Sequence, residues 1–279
     1  MDVLSFQSRV AWGYVGNAVA VPMIQHFGLN AWPIDTVVLS HHPGHGPVVR
    51  HTPTANEILN LSSQVLRRLQ FPMAALIGYL GNAEQGAAIK KVLDQNQKSD
   101  NIITVYLDPV FGDDAEGIYV DNAILTFFLD VALPMADIVM PNCFELAHLA
   151  DLPIHNISDA VNAARIIIAR GPNLILASSI PSEGQSVLNI LVTQTQAWAI
   201  KVPQVPLKAK GTGDMLSATF TALHAGGTPA IDAFRIAVST VHHAVIDASK
   251  RGLIELDIPR ILAQNMQKID DMRIDEIYV

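Results

Sequence analysis

Short continuous apolar runs alternate with stretches of helical spacing along most of this chain, and that alternation restricts the architectures open to it. Val3–Phe6, Ala31–Leu39, Ala74–Ile77, Ile102–Leu107, Ile138–Met140 and Leu174–Ala177 read as strands. Between them, Val15–Phe27, Thr54–Leu69, Ala83–Gln97, Ile124–Ala132 and Ser158–Arg170 carry helical spacing. Strands without polar alternation are buried on both faces, so the pattern predicts a mostly parallel sheet covered by helices on each side. Val187–Val192 and Trp198–Val202 flank Thr193-Gln194-Thr195-Gln196 and predict a hairpin at an antiparallel edge. The last twenty residues read as a closing helix and an extended tail.

Composition narrows the partners. Half of the 279 residues are hydrophobic, enough for a sizeable core in one large domain or two small ones. Lys plus Arg number 18 against 26 Asp plus Glu, a formal charge of −8, which disfavours nonspecific binding to nucleic acid or anionic membranes. The single cysteine, Cys143, rules out an intrachain disulfide framework. No run approaches eighteen apolar residues, and the start has no basic segment leading into an apolar one. A cytoplasmic protein is the expectation.

Open α/β sheets bind ligands beyond the carboxyl ends of their strands, and four such exits are polar or glycine-rich. They are Asp108-Pro109-Val110-Phe111-Gly112-Asp113, Pro141-Asn142-Cys143-Phe144-Glu145, Ser178-Ser179, and Gly211-Thr212-Gly213-Asp214 before a late helix. In the last, the glycines permit a tight turn, and the first helical turn leaves N–H groups without internal partners. Those donors suit an anion. A carboxylate beside a bound phosphate is repelled unless it has a proton to collect, so Asp214 fits a base acting on an attacking hydroxyl. The alternative is a Gly-rich turn in which Asp214 only starts the helix.

Taken in order, these segments resemble the pyridoxal kinase family of the ribokinase-like superfamily. The resemblance spans nearly the whole chain: Ser5-Phe6-Gln7-Ser8-Arg9-Val10, Gly13-Tyr14-Val15-Gly16-Asn17, Gly78-Tyr79-Leu80-Gly81, Asp108–Asp113, Pro141–Glu145 and Gly211–Asp214. It implies a single kinase domain over residues 1–279, with a three-layer α/β/α fold, a predominantly parallel central sheet and antiparallel edge strands. It implies transfer of the ATP γ-phosphate to the 5′-hydroxymethyl group of pyridoxal, pyridoxine or pyridoxamine, and a homodimer. Asp214 matches the general base, and Gly211, Thr212 and Gly213 match the anion hole. Asn142 and Glu145 match a pair beside Mg·ATP, with plain helix capping as the alternative. Asp108 and Asp113 match acids that organise cation and phosphate, either of which could instead cap a turn. Mg²⁺ contact is expected from Asp108, Asn142 and Glu145, in a water-rich arrangement. Tyr119 and Ser178 are expected near the nucleotide. Ser8, Val15, Val37 and Tyr79 match the acceptor pocket, although a turn serine and ordinary core residues would look the same.

The departures lie near both pockets. A family loop of serine, asparagine, histidine, threonine, glycine and tyrosine is represented by Ser40-His41-His42-Pro43-Gly44-His45. Pro43 lacks the threonine hydroxyl and the N–H, and His45 replaces the tyrosine, so the preferred vitamer is open. Met140 and Ala177 stand where many relatives carry threonines near the nucleotide and a monovalent cation, which predicts weakened K⁺ dependence. His41, His42, His45 and His51 suit a substrate loop better than a zinc cluster, and His242 and His243 suit a helix surface or interface. Lys208 and Lys210 could attract phosphate just before the anion hole. Kinases for another hydroxymethyl heteroaromatic or small alcohol, and a noncatalytic small-molecule sensor, are the competing functions.

Overall fold

The computed structural model describes residues 1–97, 101–206, 210–263 and 274–276. Lys208, one of the two lysines singled out above, and most of the expected tail lie outside the described residues. The parallel strands are β1 (Asp2–Val10), β2 (Asn30–Leu39), β4 (Met73–Ile77), β5 (Ile103–Leu107), β8 (Ile138–Val139) and β9 (Leu174–Pro181). One edge adds β10 (Ser186–Val192), β11 (Ala197–Pro203) and β12 (Asp275–Glu276), and the other adds β3 (Arg50–His51), all antiparallel. The sheet order is β12-β11-β10-β9-β8-β5-β4-β1-β2-β3. A separate hairpin pairs β6 (Gly112–Asp113) with β7 (Gly117–Ile118).

Period-two alternation explains how the sheet is covered on both faces. Leu4, Phe6, Ala75, Ile77, Val105, Leu107, Ile175 and Ala177 pack into one core. Their strand neighbours Val3, Ala74, Leu76, Tyr106, Leu174 and Leu176 pack into the other. The first core is closed by α2 (Ala55–Leu66), α3 (Ala83–Asn96), α4 (Asn122–Phe127), α6 (Cys143–Ala150) and α7 (Ile157–Ile168). The second is closed by α1 (Asn17–His26), α8 (Thr212–Ala225), α9 (Ala230–Lys250) and α10 (Ile258–Ala263). The three-layer α/β/α expectation is met.

Local signals set most boundaries. Thr54 accepts from the Glu57 N–H while Glu57 reaches back to the Thr54 N–H, a capping box that starts α2. The predicted helix over Ile124–Ala132 is split: α4 ends at Phe127, and a π-type turn over Phe128–Ala132 leads into the single turn α5 (Leu133–Met135). β1 runs to Val10, four residues beyond its apolar core, so Ser8 lies inside a strand.

β1 lies between β2 and β4, so the chain leaves it first to one side and then to the other. That reversal opens a crevice beyond the carboxyl ends of the strands. Gly78 and Tyr79 follow β4, Asp108 follows β5, and Asn142 follows β8, on the same edge of the sheet. Among the described residues, no helix is long and apolar enough to cross a membrane.

Candidate active site

The helix after the Gly-rich turn starts earlier than its apolar run, at Thr212. Gly211 is its N-cap, with φ +91°, and no side chain caps the first turn. A Cβ on Gly211 would stand 2.1 Å from the Tyr14 carbonyl oxygen, so glycine is required by both conformation and space. Gly213 differs from the sequence expectation. It sits inside the first helical turn, and a Cβ there would meet nothing within 4 Å. Only Gly211 makes the turn; Gly213 leaves open the space in front of the helix N-terminus, where first-turn N–H groups and the helix dipole favour an anion.

Asp214 stands in that same first turn. It is partly exposed, yet enough protein surrounds the carboxylate for desolvation to raise its pKa, while the Gly16 N–H donates to it and opposes the rise. Asp108, at the end of β5, is buried, and desolvation followed by the neighbouring Asp214 charge pushes it up to about 7. The Ser217 hydroxyl, one turn along α8, pulls the other way. Glu145 is also buried; desolvation and the Asp108 charge hold it well above the usual range.

Asn142 and Glu145 form a capping box at the start of α6. Asn142 Oδ1 accepts from the Glu145 N–H at 2.9 Å, and Glu145 Oε2 accepts from the Asn142 N–H at 2.9 Å. Asn142 Nδ2 donates to the Gly112 carbonyl (2.8 Å), and Glu145 Oε1 accepts from the Phe111 N–H (3.2 Å). The capping alternative is therefore realised, and it holds the Asp108–Asp113 loop against α6. Asp113 caps its own hairpin turn, accepting from the N–H groups of Ala115 and Glu116 at 2.9 and 2.7 Å. Tyr119 is 41% exposed, but desolvation of its phenol, then the charges of Glu145, Asp108, Asp113 and Asp214, raise its pKa. Ser178 lies beside Asn142 in a parallel bridge and donates its N–H to the Pro141 carbonyl (3.0 Å). There, Ser178 and Ser179 together face Asn189, and Ser179 has φ 61°. Such a bulge re-aims side chains at the strand end.

The residues expected at the acceptor come from β1, β2 and the segments that follow β1, β2 and β4. Val15 and Val37 are buried in a small apolar cluster with Val10 and Leu39, against which Tyr79 packs. Ser8 pairs with Val37 across β1 and β2. Pro43 and His45 form a short 3₁₀ turn, and His45 Nε2 lies 2.5 Å from Glu255 Oε1. The other loop imidazoles have separate partners: His41 Nδ1 meets Ser40 Oγ at 3.0 Å, and His42 Nδ1 accepts from the Gly44 N–H at 3.0 Å. Lys210 Nζ reaches Glu116 Oε1 at 3.4 Å, linking the segment before Gly211 to the β6–β7 hairpin.

A divalent cation fits the acidic side. Asp108 Oδ2 is buried with no hydrogen-bond partner among the described residues, and the Asp214 charge raises the pKa of Asp108 as the Asp108 charge raises that of Glu145. Among the described residues, no three His, Cys, Asp or Glu side chains form a closed metal shell. The donor set thus suits a hard cation that keeps water and phosphate ligands. Asn142 and Glu145 already use their polar atoms in capping, so Asp108 offers the free oxygen.

Two contributors escaped the sequence reading of the site. Gly16, known there only as part of a motif, donates to Asp214. Glu255 has no local pattern to betray it, because its partners are more than 200 residues away.

The sequence model of the phosphomethylpyrimidine kinase family matches residues 48–256. The pyridoxal kinase PdxY of Pseudomonas paraeruginosa is 32% identical over 92% of this chain and 92% of its own. That of Rubrobacter xylanophilus is 30% identical over 92% and 91%. The structure of Leishmania donovani pyridoxal kinase in complex with ADP and pyridoxamine superimposes with a TM-score of 0.87, at 23% identity, over 99% of both chains.

Proposed function

The chain belongs to the phosphomethylpyrimidine kinase family and, by identity over nearly its full length, to the pyridoxal kinases within it, and from that membership we propose that it phosphorylates B6 vitamers with ATP. The acceptor is the 5′-hydroxymethyl group of pyridoxal, pyridoxine or pyridoxamine. The observation that carries this reading is the position of Asp214. It stands at the uncapped N-terminus of α8, beside the buried Asp108 and within reach of the N–H of Gly16, which is next in sequence to Val15 of the apolar cluster.

In the reaction, the acceptor oxygen attacks the γ-phosphorus as its proton passes to Asp214. The bond to the β-phosphate oxygen breaks, and ADP leaves with that electron pair. A raised pKa favours Asp214 as a base because it narrows the gap to the operating pH. Gly211, Thr212 and Gly213 supply backbone donors to the transferring group, whose charge they meet without reorganisation. Asp113, Tyr119, Asn142, Glu145 and Ser178 line the nucleotide side. Asp108 would hold Mg²⁺, with Asn142 and Glu145 orienting its loop; bound there, Mg²⁺ would neutralise phosphate charge. Ser8, Val15, Val37, Pro43, His45 and Tyr79 form the acceptor side, with the Ser8 hydroxyl able to donate or accept toward the heteroaromatic ring. K⁺ dependence is weakened, because Met140 and Ala177 bring no side-chain hydroxyl to the positions where threonines would stand.

The reading extends to one kinase domain over the chain, working in the cytoplasm as a homodimer. Another hydroxymethyl heteroaromatic, such as a pyrimidine, is the second acceptor reading; the pyrimidine in the family's description points to it, and Pro43 and His45 leave room for it. The test is a panel of the three vitamers and hydroxymethylpyrimidine with ATP and Mg²⁺, followed by phosphorylated product. Product from a vitamer upholds the reading, product from the pyrimidine alone selects the second, and none from any acceptor rejects both.

A further inference from the structure

The geometry points to Glu255 as a positioning residue that sets the acceptor pocket against the base. Glu255 lies between α9 and α10, 241 residues from Tyr14, and its side chain is only 12% exposed. Its two oxygens serve two different loops. Oε2 accepts the Tyr14 N–H at 2.8 Å, and Oε1 meets His45 Nε2 at 2.5 Å. The carboxylate lies so close to Gly13, at φ +101°, that a Cβ there would stand 2.5 Å from Oε2. The His45 ring also meets Trp12 edge-on, with centroids 5.6 Å apart.

The strap from Gly13 to Gly16 carries this hold into the reacting centre. The Tyr14 carbonyl presses on Gly211, the N-cap of the anion hole. Val15 enters the apolar acceptor cluster. Gly16, at φ +55°, fits against the Ser8 carbonyl, where a Cβ would be 2.0 Å away, and gives its N–H to Asp214. The Glu255 backbone also bridges Lys210, the residue before Gly211. The carboxylate therefore fixes the strap and the acceptor turn, while the backbone of the same residue holds the approach to Gly211, without touching a reacting atom. It orients the acceptor hydroxyl toward Asp214, where small misplacement costs rate steeply.

This inference rests on the kinase reading for its kinetic arm, but its structural arm does not. In the full-length protein, Glu255→Ala should speed hydrogen exchange at the Tyr14 amide and its neighbours while α3 and α7 keep their protection. With the vitamer that wild type phosphorylates, kcat/KM for the acceptor should fall about 10- to 100-fold. KM for ATP should stay within about twofold. Glu255→Gln should recover most of the loss, because its amide can accept from Tyr14 and donate to His45. His45→Ala should impair acceptor use without exposing the Tyr14 amide. If Glu255→Ala does not fold, Glu255→Asp, too short to reach both loops, takes its place with the same readouts. Unchanged exchange at Tyr14 overturns the inference, as does faster exchange with an unchanged acceptor kcat/KM. If wild type phosphorylates no vitamer, the kinase reading fails while the exchange experiment still decides whether Glu255 holds the strap.

Discussion

Asp108 shows how a site residue can weaken the fold that carries it. Burial and the Asp214 charge lift its pKa from 3.8 to about 7, so the folded chain keeps a proton there that the unfolded chain gives up. Its contribution to stability is fully present below about pH 4 and is lost as pH rises through about 7. Asp108→Asn should therefore raise Tm at pH 8, by about 2 °C or more. It should also flatten the fall in Tm between pH 4 and 7, leaving the slope due to Glu145 and Asp214, and should depress turnover. Thermal melts across pH without Mg²⁺ check this; a lower Tm at pH 8 would show that the carboxylate is well satisfied. Pro43 makes a prediction about selectivity. Pro43→Thr restores a hydroxyl to the acceptor turn, so it should shift the ratios of kcat/KM among vitamers while leaving KM for ATP nearly unchanged. An identical shift for every vitamer places Pro43 elsewhere. These residue identities were readable in the sequence, since Asp108, Asp214 and Pro43 sit in short ordered motifs. Their environments were not: the orphaned Asp108 oxygen depends on what α8 and α6 bring near it.

At the scale of elements, the two glycines before Asp214 separate. Gly211→Ala must relieve a 2.1 Å clash with the Tyr14 carbonyl and a φ of +91°, so it should lower both Tm and turnover. Gly213→Ala meets open space in the free protein. It should leave Tm unchanged or slightly raised, since alanine suits a helix better, and any loss should appear only with nucleotide bound. Paired melts and kinetics check both variants; equal Tm losses would contradict the assignment. The sequence located this turn but could not rank its glycines, because a positive φ is set by the chain that packs against it. The same limit explains the missed β3, β6 and β7: two-residue strands leave no periodicity to read. The capping box of α6 was open in the sequence as one of two meanings, and the structure adds that capping places Glu145 beside Asp108.

Across the whole molecule, the parallel order was legible because each buried strand is a short apolar run. Helices cover both faces as those runs require, and the hairpin of β10 and β11 stands at the antiparallel side as its turn residues predicted. What one dimension cannot display is convergence: Tyr14, His45, Glu116, Lys210 and Glu255 meet from loops spread over the entire chain. Monovalent-ion response belongs to this scale, since Met140, just after β8, and Ala177, in β9, lie in opposite cores. Wild type should respond weakly to K⁺ at fixed Mg·ATP and ionic strength, and restoring both threonines should strengthen the response. Strong activation of wild type with no further gain in the double variant would assign the ion to backbone carbonyls. The central claim is that Asp214 takes the acceptor proton, and single-turnover phosphorylation of the preferred vitamer by Asp214→Asn tests it most directly. The account predicts a chemical step slowed about 10²- to 10⁴-fold, with ATP binding and Tm retained; a folded variant reacting at nearly the wild-type rate would contradict it.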